Sequence, residues 1–302
     1  MSEPAVFTRK KTRQIRVGNV SVGGGAPVAV QSMTSTDTRD VKSTVDQIGR
    51  LEKAGCEIIR VAVLDEDAAL AIRDIRKAIR LPLIADIHFS HRMAIAALEN
   101  GADCVRINPG NLGREKIREV VDAAKACGAS MRIGVNSGSL EKELLAKHGG
   151  PCAEALVESA LGSIAFLEDL GYREFKLSLK SSDVPTMIRA YRLISEKTEY
   201  PLHLGVTEAG SVLSSSIKSS IGIGILLHEG IGDTIRVSVT GDPTVEMTIA
   251  YGILRALGIR KVGPDIIACP TCGRCEIDLA PMVEEVEKKL AGMNEYLKIA
   301  IM

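Results

Sequence analysis

Most of the groups in this chain that could do chemistry recur at every second position of short, β-rich runs. Asp86 and His88 are two apart, as are Arg106 and Asn108; so are Arg132, Gly134 and Asn136, and Lys176, Ser178 and Lys180. His203, Gly205 and Thr207 repeat the spacing, and Arg236, Ser238 and Thr240 close the series. Residues i and i+2 share one face of a strand, so each run presents a polar line. Ile84 extends the first of them. The intervening positions, among them Ile107, Ile133, Leu177, Leu204 and Val237, are apolar and should face packed helices.

Cations that converge in one pore repel each other and are poorly solvated. Arg60, Arg106, Arg132, Lys180 and Arg236 outnumber the carboxylates Asp86 and Glu208. A phosphorylated ligand would restore the balance, because Arg and Lys bind phosphate through charge-assisted hydrogen bonds. Lys180 lies nearer the C-terminal strand end than Lys176 and is expected to do more of this. A purely structural ion-pair layer is the other reading. Glu208 follows Val206-Thr207 and could be a proton donor, a hydroxyl ligand or a helix cap. His88 and His203 could orient a substrate or serve as structural residues.

A second constellation is Cys269-Pro270-Thr271-Cys272-Gly273-Arg274-Cys275. Cys-x-x-Cys sets two thiolates at one metal or one cluster corner. A zinc ribbon needs a second such pair, which this sequence lacks. Cys275 gives the start of a ferredoxin-like spacing, but no fourth Cys follows. A thioredoxin-type redox pair would lack its βαβ setting. Cys56, Cys104, Cys127 and Cys152 read as packing residues.

The elements that must position these groups alternate from the start to about residue 262. Strands are expected at 28–31, 57–63, 82–87, 103–107, 130–135, 174–180, 201–206 and 234–239. Helices are expected at 41–53, 66–79, 92–99, 115–126, 153–170, 185–197, 211–229 and 244–257. Eight β-then-α units predict an α/β fold, a (β/α)8 TIM barrel, with a doubly wound sheet as the alternative. A weak repeat agrees: a helix-ending Gly precedes a cation in Gly55…Arg60, Gly101…Arg106, Gly128…Arg132, Gly171…Lys176 and Gly230…Arg236. Gly is the expected left-handed helix stop. The division expected is a substrate-binding barrel over 1–262 and the beginning of a smaller α+β iron–sulfur domain over 263–302, with a helix at 282–293.

Composition excludes several function classes. Lys plus Arg and Asp plus Glu are both 38, giving zero net charge, so no bulk attraction to nucleic acid or membrane is implied. Aromatics are 3% with no Trp, which argues against base stacking. The basic cluster Arg9 to Arg13 has no apolar run behind it, unlike a secretory signal. The longest apolar run, near Ile221 to Leu227, is far below a membrane span. Seven cysteines, an odd and uneven set, suit free thiols or metal ligands. The expected compartment is the cytoplasm.

Several motifs in order carry a family resemblance: Val30-Gln31-Ser32-Met33-Thr34-Ser35-Thr36, Ala85-Asp86-Ile87-His88-Phe89 and Val105-Arg106-Ile107-Asn108-Pro109-Gly110-Asn111. Arg132-Ile133-Gly134-Val135-Asn136-Ser137-Gly138-Ser139-Leu140, His203-Leu204-Gly205-Val206-Thr207-Glu208-Ala209-Gly210, Arg236-Val237-Ser238 and the Cys269 to Arg274 run continue it. Spanning essentially the whole chain, they resemble the 4-hydroxy-3-methylbut-2-enyl diphosphate synthases of the methylerythritol phosphate route to isoprenoids. The resemblance implies reductive ring-opening and dehydroxylation of 2-C-methyl-D-erythritol 2,4-cyclodiphosphate. Electrons would arrive singly through a 4Fe-4S cluster from ferredoxin or flavodoxin. Arg60, Arg106, Asn108, Arg132, Asn136, Lys180, Arg236 and Ser238 would hold the diphosphate, with Asp86, His88 and His203 lining the same site. Glu208 would act at the departing hydroxyl, and Cys269 and Cys272 would ligate iron.

The resemblance also implies a homodimer in which one subunit's cluster domain closes over the other's barrel. The family's third Cys and its Glu ligand are expected beyond Met302, so the 302-residue form is expected to be inactive or nearly so. From the residues alone, a cluster-free lyase using Lys176 or Lys180, a pterin-type transferase or a non-catalytic anion-binding protein remain the alternatives.

Overall fold

The computed structural model describes residues 8–290, 292–293 and 295–302. Eight parallel strands form the ring: β3 (Ala29–Met33), β4 (Ile58–Val63), β5 (Leu83–Ile87), β6 (Cys104–Ile107), β7 (Ser130–Asn136), β8 (Phe175–Lys180), β9 (His203–Leu204) and β10 (Thr234–Ile235). Their order is β8-β7-β6-β5-β4-β3-β10-β9, and a parallel bridge between Leu177 and Leu202 joins β8 back to β9. The ring therefore closes, which excludes the doubly wound sheet. β9 and β10 are shorter than 201–206 and 234–239. Pairing still runs past their ends, since the Arg236 amide donates to the Leu204 carbonyl at 2.9 Å.

The crossovers are α1 (Val41–Lys53), α2 (Glu66–Ala78), α3 (His91–Glu99), α4 (Arg114–Cys127), α5 (Lys142–His148), α6 (Ala153–Asp169), α7 (Val184–Lys197), α8 (Val212–His228) and α9 (Thr244–Ala256). Local chemistry fixes their ends. The Asp40, Asp65 and Asp183 carboxylates accept the Ser43, Ala68 and Thr186 amides at the starts of α1, α2 and α7. Gly128, at φ 64°, stops α4 in the left-handed conformation. The short α5 was not anticipated. Cys127 is exposed, against the packing expectation; Cys56 and Cys104 are buried as expected. After the barrel come β11 (Asp265–Ala268), α10 (Leu279–Leu290) and β12 (Lys298–Ile301), with β11 and β12 parallel from Asp265–Lys298 to Ala268–Ile301. The helix thus begins and ends three residues earlier than 282–293.

Apolar side chains on the outer strand faces, such as Val61, Ile87, Ile107, Ile133, Leu177 and Val237, pack with the helices in one continuous core. A second, smaller core was not foreseen. β1 (Ile15–Val17) and β2 (Val20–Val22) form an antiparallel hairpin. Its Ile15, Val17 and Val22 pack on Ala29, Ile58, Ile84 and Cys104, the first inward residues of β3 to β6. The hairpin is a floor. On β4, β5 and β6 the inward positions therefore change from apolar Ile58, Ile84 and Cys104 to charged Arg60, Asp86 and Arg106, and the charged end is the C-terminal one. Among the described residues no helix is long and apolar enough to cross a membrane.

Ile84 is fully buried in that floor, so Ile84→Ala should lower unfolding free energy by about 2–5 kcal/mol, the range for emptying a core site. Leu70, 52% exposed on α2, is the control: Leu70→Ala should move the urea midpoint by no more than about 0.5 kcal/mol equivalent.

Candidate active site at the barrel mouth

Strand register builds the site. Asp86 pairs with Arg106, Arg106 with Arg132, and Arg132 with Lys176, so four charged residues on neighbouring strands share one rung. One step up, Gly134 pairs with Ser178, and above that Asn136 pairs with Lys180. The missing side chain at Gly134 has a use. A Cβ there would stand 2.7 Å from Arg106 Nε, so the Arg106 side chain lies across this glycine.

Asp86 is the hub of the charged layer. Its Oδ1 lies 3.3 Å from Arg106 Nη1, and its Oδ2 3.6 Å from Arg60 Nε and 3.8 Å from His88 Nε2. Burial alone would raise its pKa, but Arg60, Arg106, Arg132 and Lys180 overcome that and hold it below the ordinary carboxylate range. On the far side, Arg236 Nη2 lies 3.3 Å from Glu246 Oε1. Glu246 is 1% exposed and also accepts from Ser32 Oγ at 2.8 Å and from the Val239 amide at 3.2 Å.

The remaining cations lack such partners. Arg132 is fully buried, and none of its three guanidinium nitrogens has a hydrogen-bond partner. Lys176 Nζ, Arg106 Nε and Arg236 Nε are likewise unpartnered. Burial, reinforced by Arg106, pushes the Arg132 guanidinium down to about 10. Burial and the neighbours Arg106, Arg132 and Arg60 push Lys180 down to about 6; burial takes Lys176 to about 8. Burial also drives Arg60 well below its ordinary value, with Asp86 opposing. His203 is driven well below its usual range by burial and then by Arg132 and Lys176, so the ring is neutral, with Nδ1 2.8 Å from Thr234 Oγ1.

A cavity of about 30 Å³ brings together Arg60, Arg132, Lys180, His203, Arg236 and Ser238, with Ser178 and Thr207 beside them. Arg106 and Asp86 adjoin it through the ion pairs above. Lys176 lies deeper and does not line the cavity. Asn108 and Asn136 belong to the rim: Asn108 Nδ2 donates to Ser139 Oγ at 2.7 Å, and Ser139 Oγ donates to the Asn136 carbonyl at 3.4 Å. His88 is 46% exposed at its side chain. A larger, mostly apolar groove of about 630 Å³ between α8 and α9 includes Ile225 and Ile253. The unpartnered guanidinium nitrogens are in the barrel, not there.

Sequence reasoning set Glu208 beside Asp86 as the counter-charges. Glu208 is exposed, on the loop after β9, and its backbone is left-handed at φ 55°, rare for a residue with a Cβ. The second buried counter-charge is Glu246, which sequence reasoning passed over. The available signal was a carboxylate on the same buried α9 face as Met247, Ala250 and Leu254. Cys269 and Cys272 stand exposed on the turn after β11. Hydrogen bonds from the Arg274 backbone and side chain hold the Cys272 thiol below its ordinary value.

In chemical terms, the mouth is a set of fixed, partly desolvated donors with too little negative charge, suited to holding a polyanion and to stabilising charge that develops on it. Lys180 makes this measurable. Its folded pKa is about 6 against 10.5 for an ordinary lysine, so between those values the unfolded chain holds the extra proton and stability rises with pH. An anion returns that proton, so anion affinity should fall as pH rises above about 6. Lys180→Met should flatten both slopes, read by urea titration and by calorimetry with inorganic diphosphate from pH 6 to 9.

The comparisons with known proteins agree with this architecture. The GcpE TIM-barrel domain matches residues 12–251, and the GcpE protein C-terminal domain matches residues 265–302. The 4-hydroxy-3-methylbut-2-en-1-yl diphosphate synthase (flavodoxin) of Nitratidesulfovibrio vulgaris is 59% identical over 99% of this chain and 78% of its own. The enzyme of the same name from Geobacter sulfurreducens is 56% identical over 97% of this chain and 84% of its own. Among solved structures, dihydropteroate synthase from Stenotrophomonas maltophilia superposes with a TM-score of 0.58 at 14% identity, covering 81% of this chain and 98% of that one. An N-acetylneuraminic acid synthetase from Leptospira borgpetersenii gives 0.57 at 13%, over 92% of this chain and 96% of that one. These two show the barrel alone. Matched over both of its regions and by close relatives throughout, the chain belongs to the GcpE family, the 4-hydroxy-3-methylbut-2-en-1-yl diphosphate synthases.

Proposed function

We propose that the chain is an iron–sulfur oxidoreductase of isoprenoid biosynthesis. It opens 2-C-methyl-D-erythritol 2,4-cyclodiphosphate and reductively removes a hydroxyl to give 4-hydroxy-3-methylbut-2-enyl diphosphate. The observation that carries this reading is Arg132, a fully buried guanidinium with all three nitrogens unpartnered. A buried cation in that state is costly, and an incoming anion would satisfy it. The diphosphate would be gripped by Arg132, Arg60, Lys180, Arg236 and Ser238, with Arg106, which Asp86 orients. His203, neutral, would donate or accept without adding charge, while His88, Asn108 and Asn136 would close the rim. Glu208, at the edge of this cationic field, would deliver a proton to the departing hydroxyl.

Cys269 and Cys272 fit one edge of a 4Fe-4S cluster: both are free and exposed, at Cys-x-x-Cys spacing. Among the described residues no group of three or more His, Cys, Asp or Glu converges; the pair would supply two of a cluster's four ligands. When bound, the cluster would pass electrons one at a time from flavodoxin, the donor named for the relatives, or from ferredoxin. All seven cysteines are free, which suits a reducing, cytoplasmic compartment. The division into a substrate-binding barrel over 1–262 and a cluster-bearing region from 263 is part of the same proposal.

A homodimer is supported by α8. Leu213, Ile217, Ile221 and Ile225 form an exposed stripe, 37–71% accessible, while Ile223, Leu226 and Leu227 are buried on the other side. A contiguous apolar stripe on an exposed helix face is ordinarily covered by a partner, and a second copy would cover this one. Ile221→Asp should then convert a sedimenting dimer to a monomer; an unchanged dimer would remove α8 from the interface.

Arg132→Met tests the substrate site. It removes an uncompensated buried charge, so the empty protein should gain about 1–4 kcal/mol of stability while affinity for the cyclodiphosphate falls at least ~100-fold, about two charge-assisted hydrogen bonds. Calorimetric binding that survives the substitution would contradict the assignment. Borohydride trapping of a lysine adduct would instead favour the cluster-free lyase.

A further inference from the structure

Cys275 is absorbed by neither constellation. It lies three residues beyond Cys272, yet it joins no group of three or more metal-ligating side chains among the described residues. Its Sγ donates to the Ile277 carbonyl at 3.1 Å. The backbone tells more. The Cys275 amide donates to the Cys272 carbonyl at 2.9 Å, which makes Cys272-Gly273-Arg274-Cys275 a hydrogen-bonded turn. Such a turn holds its first and fourth Cα atoms within 7 Å, about the span a disulfide bridges. Both sulfurs are free; Cys272 is exposed and Cys275 half-buried.

We propose that Cys272 and Cys275 form a reversible intrachain disulfide, made by exchange with a low-molecular-weight disulfide, which withdraws Cys272 from iron ligation while no metal is bound. The withdrawal rests on Cys272 being a cluster ligand; the disulfide does not. The exchange balances. The Cys272 thiolate attacks one sulfur of the small disulfide, forming a mixed disulfide and releasing one small thiolate. The Cys275 thiolate then attacks the Cys272 sulfur and releases the second. The two protein thiols lose two electrons and two protons, and the small disulfide becomes two thiols. Closure spares Cys272 from irreversible oxidation to sulfinic acid, and a dithiol reductant reopens it.

Trypsin gives a direct readout, because it cuts after Arg274, between the two cysteines. The reduced, iron-free protein is treated with glutathione disulfide, alkylated and digested without reduction. The expected product is peptide 262–274 joined to peptide 275–288, with fragmentation placing the bond at Cys272 and dithiothreitol abolishing it. A Cys269–Cys272 bond inside peptide 262–274 with Cys275 alkylated, or glutathione still attached to Cys272, would overturn the proposal. Cys275→Ser should leave glutathione on Cys272, and loss of that adduct in the variant would also count against it. Anaerobic iron reconstitution addresses the ligand role: the oxidised protein should take up less than a tenth of the iron bound by the reduced form, with recovery after dithiothreitol. Equal uptake by both forms would show that closure withdraws no ligand. No uptake even by the reduced form, with the disulfide mapped as expected, would overturn the withdrawal of a ligand and leave the disulfide alone standing.

Discussion

The structure depends on a charge imbalance held inside a closed barrel. Arg60, Arg106, Arg132 and Lys176 are buried there, Lys180 and Arg236 are partly so, and the carboxylates that pair with them, Asp86 and Glu246, are fewer. A barrel interior is ordinarily filled by branched aliphatic side chains. Here that filling is confined to the floor, and the upper part carries cations that water solvates poorly. Such an arrangement costs stability when empty, and the cost is offset elsewhere, by the long outer core and by the hairpin that seals the N-terminal end.

That imbalance also explains smaller features. Gly134 leaves room for a guanidinium where any Cβ would displace it. Asp86 divides its oxygens between Arg60 and Arg106, so that one carboxylate aims both guanidinium groups. Tyr191, from α7, is buried behind the strands and accepts from the Leu179 amide at 3.0 Å, while its hydroxyl donates to the His203 carbonyl. It ties β8 to β9 where their ladder is shortest. These contacts fix donors in advance, which is what a site needs if charge is to change during a reaction.

Much of this was legible from period-two alternation. Arg132, Gly134 and Asn136 declared an inward line, and the helix-stopping glycines marked where each strand begins. What escaped had weaker signals. The hairpin residues Ile15, Val17, Val20 and Val22 alternate around Gly18-Asn19, but each arm is only three residues. Glu246 sits in a helix, so a search along strands could not find it. Glu208 was legible as a strand-end carboxylate, but its exposure and its left-handed backbone are features no spacing rule anticipates. Cys127 looked like packing because helix position alone does not say which face is covered.

Glu246 has one more implication. It reaches from the last crossover helix to Ser32 on the first barrel strand and to Arg236 beyond the last, joining residues 214 apart in the chain. This is the seam where the ends of the barrel meet. Strand β10 already pairs with β3 at this junction, and Glu246 clasps it from the helix layer, so one side chain is shared by the two ends of the ring. A change at that single carboxylate would therefore be felt on both sides of the closure at once.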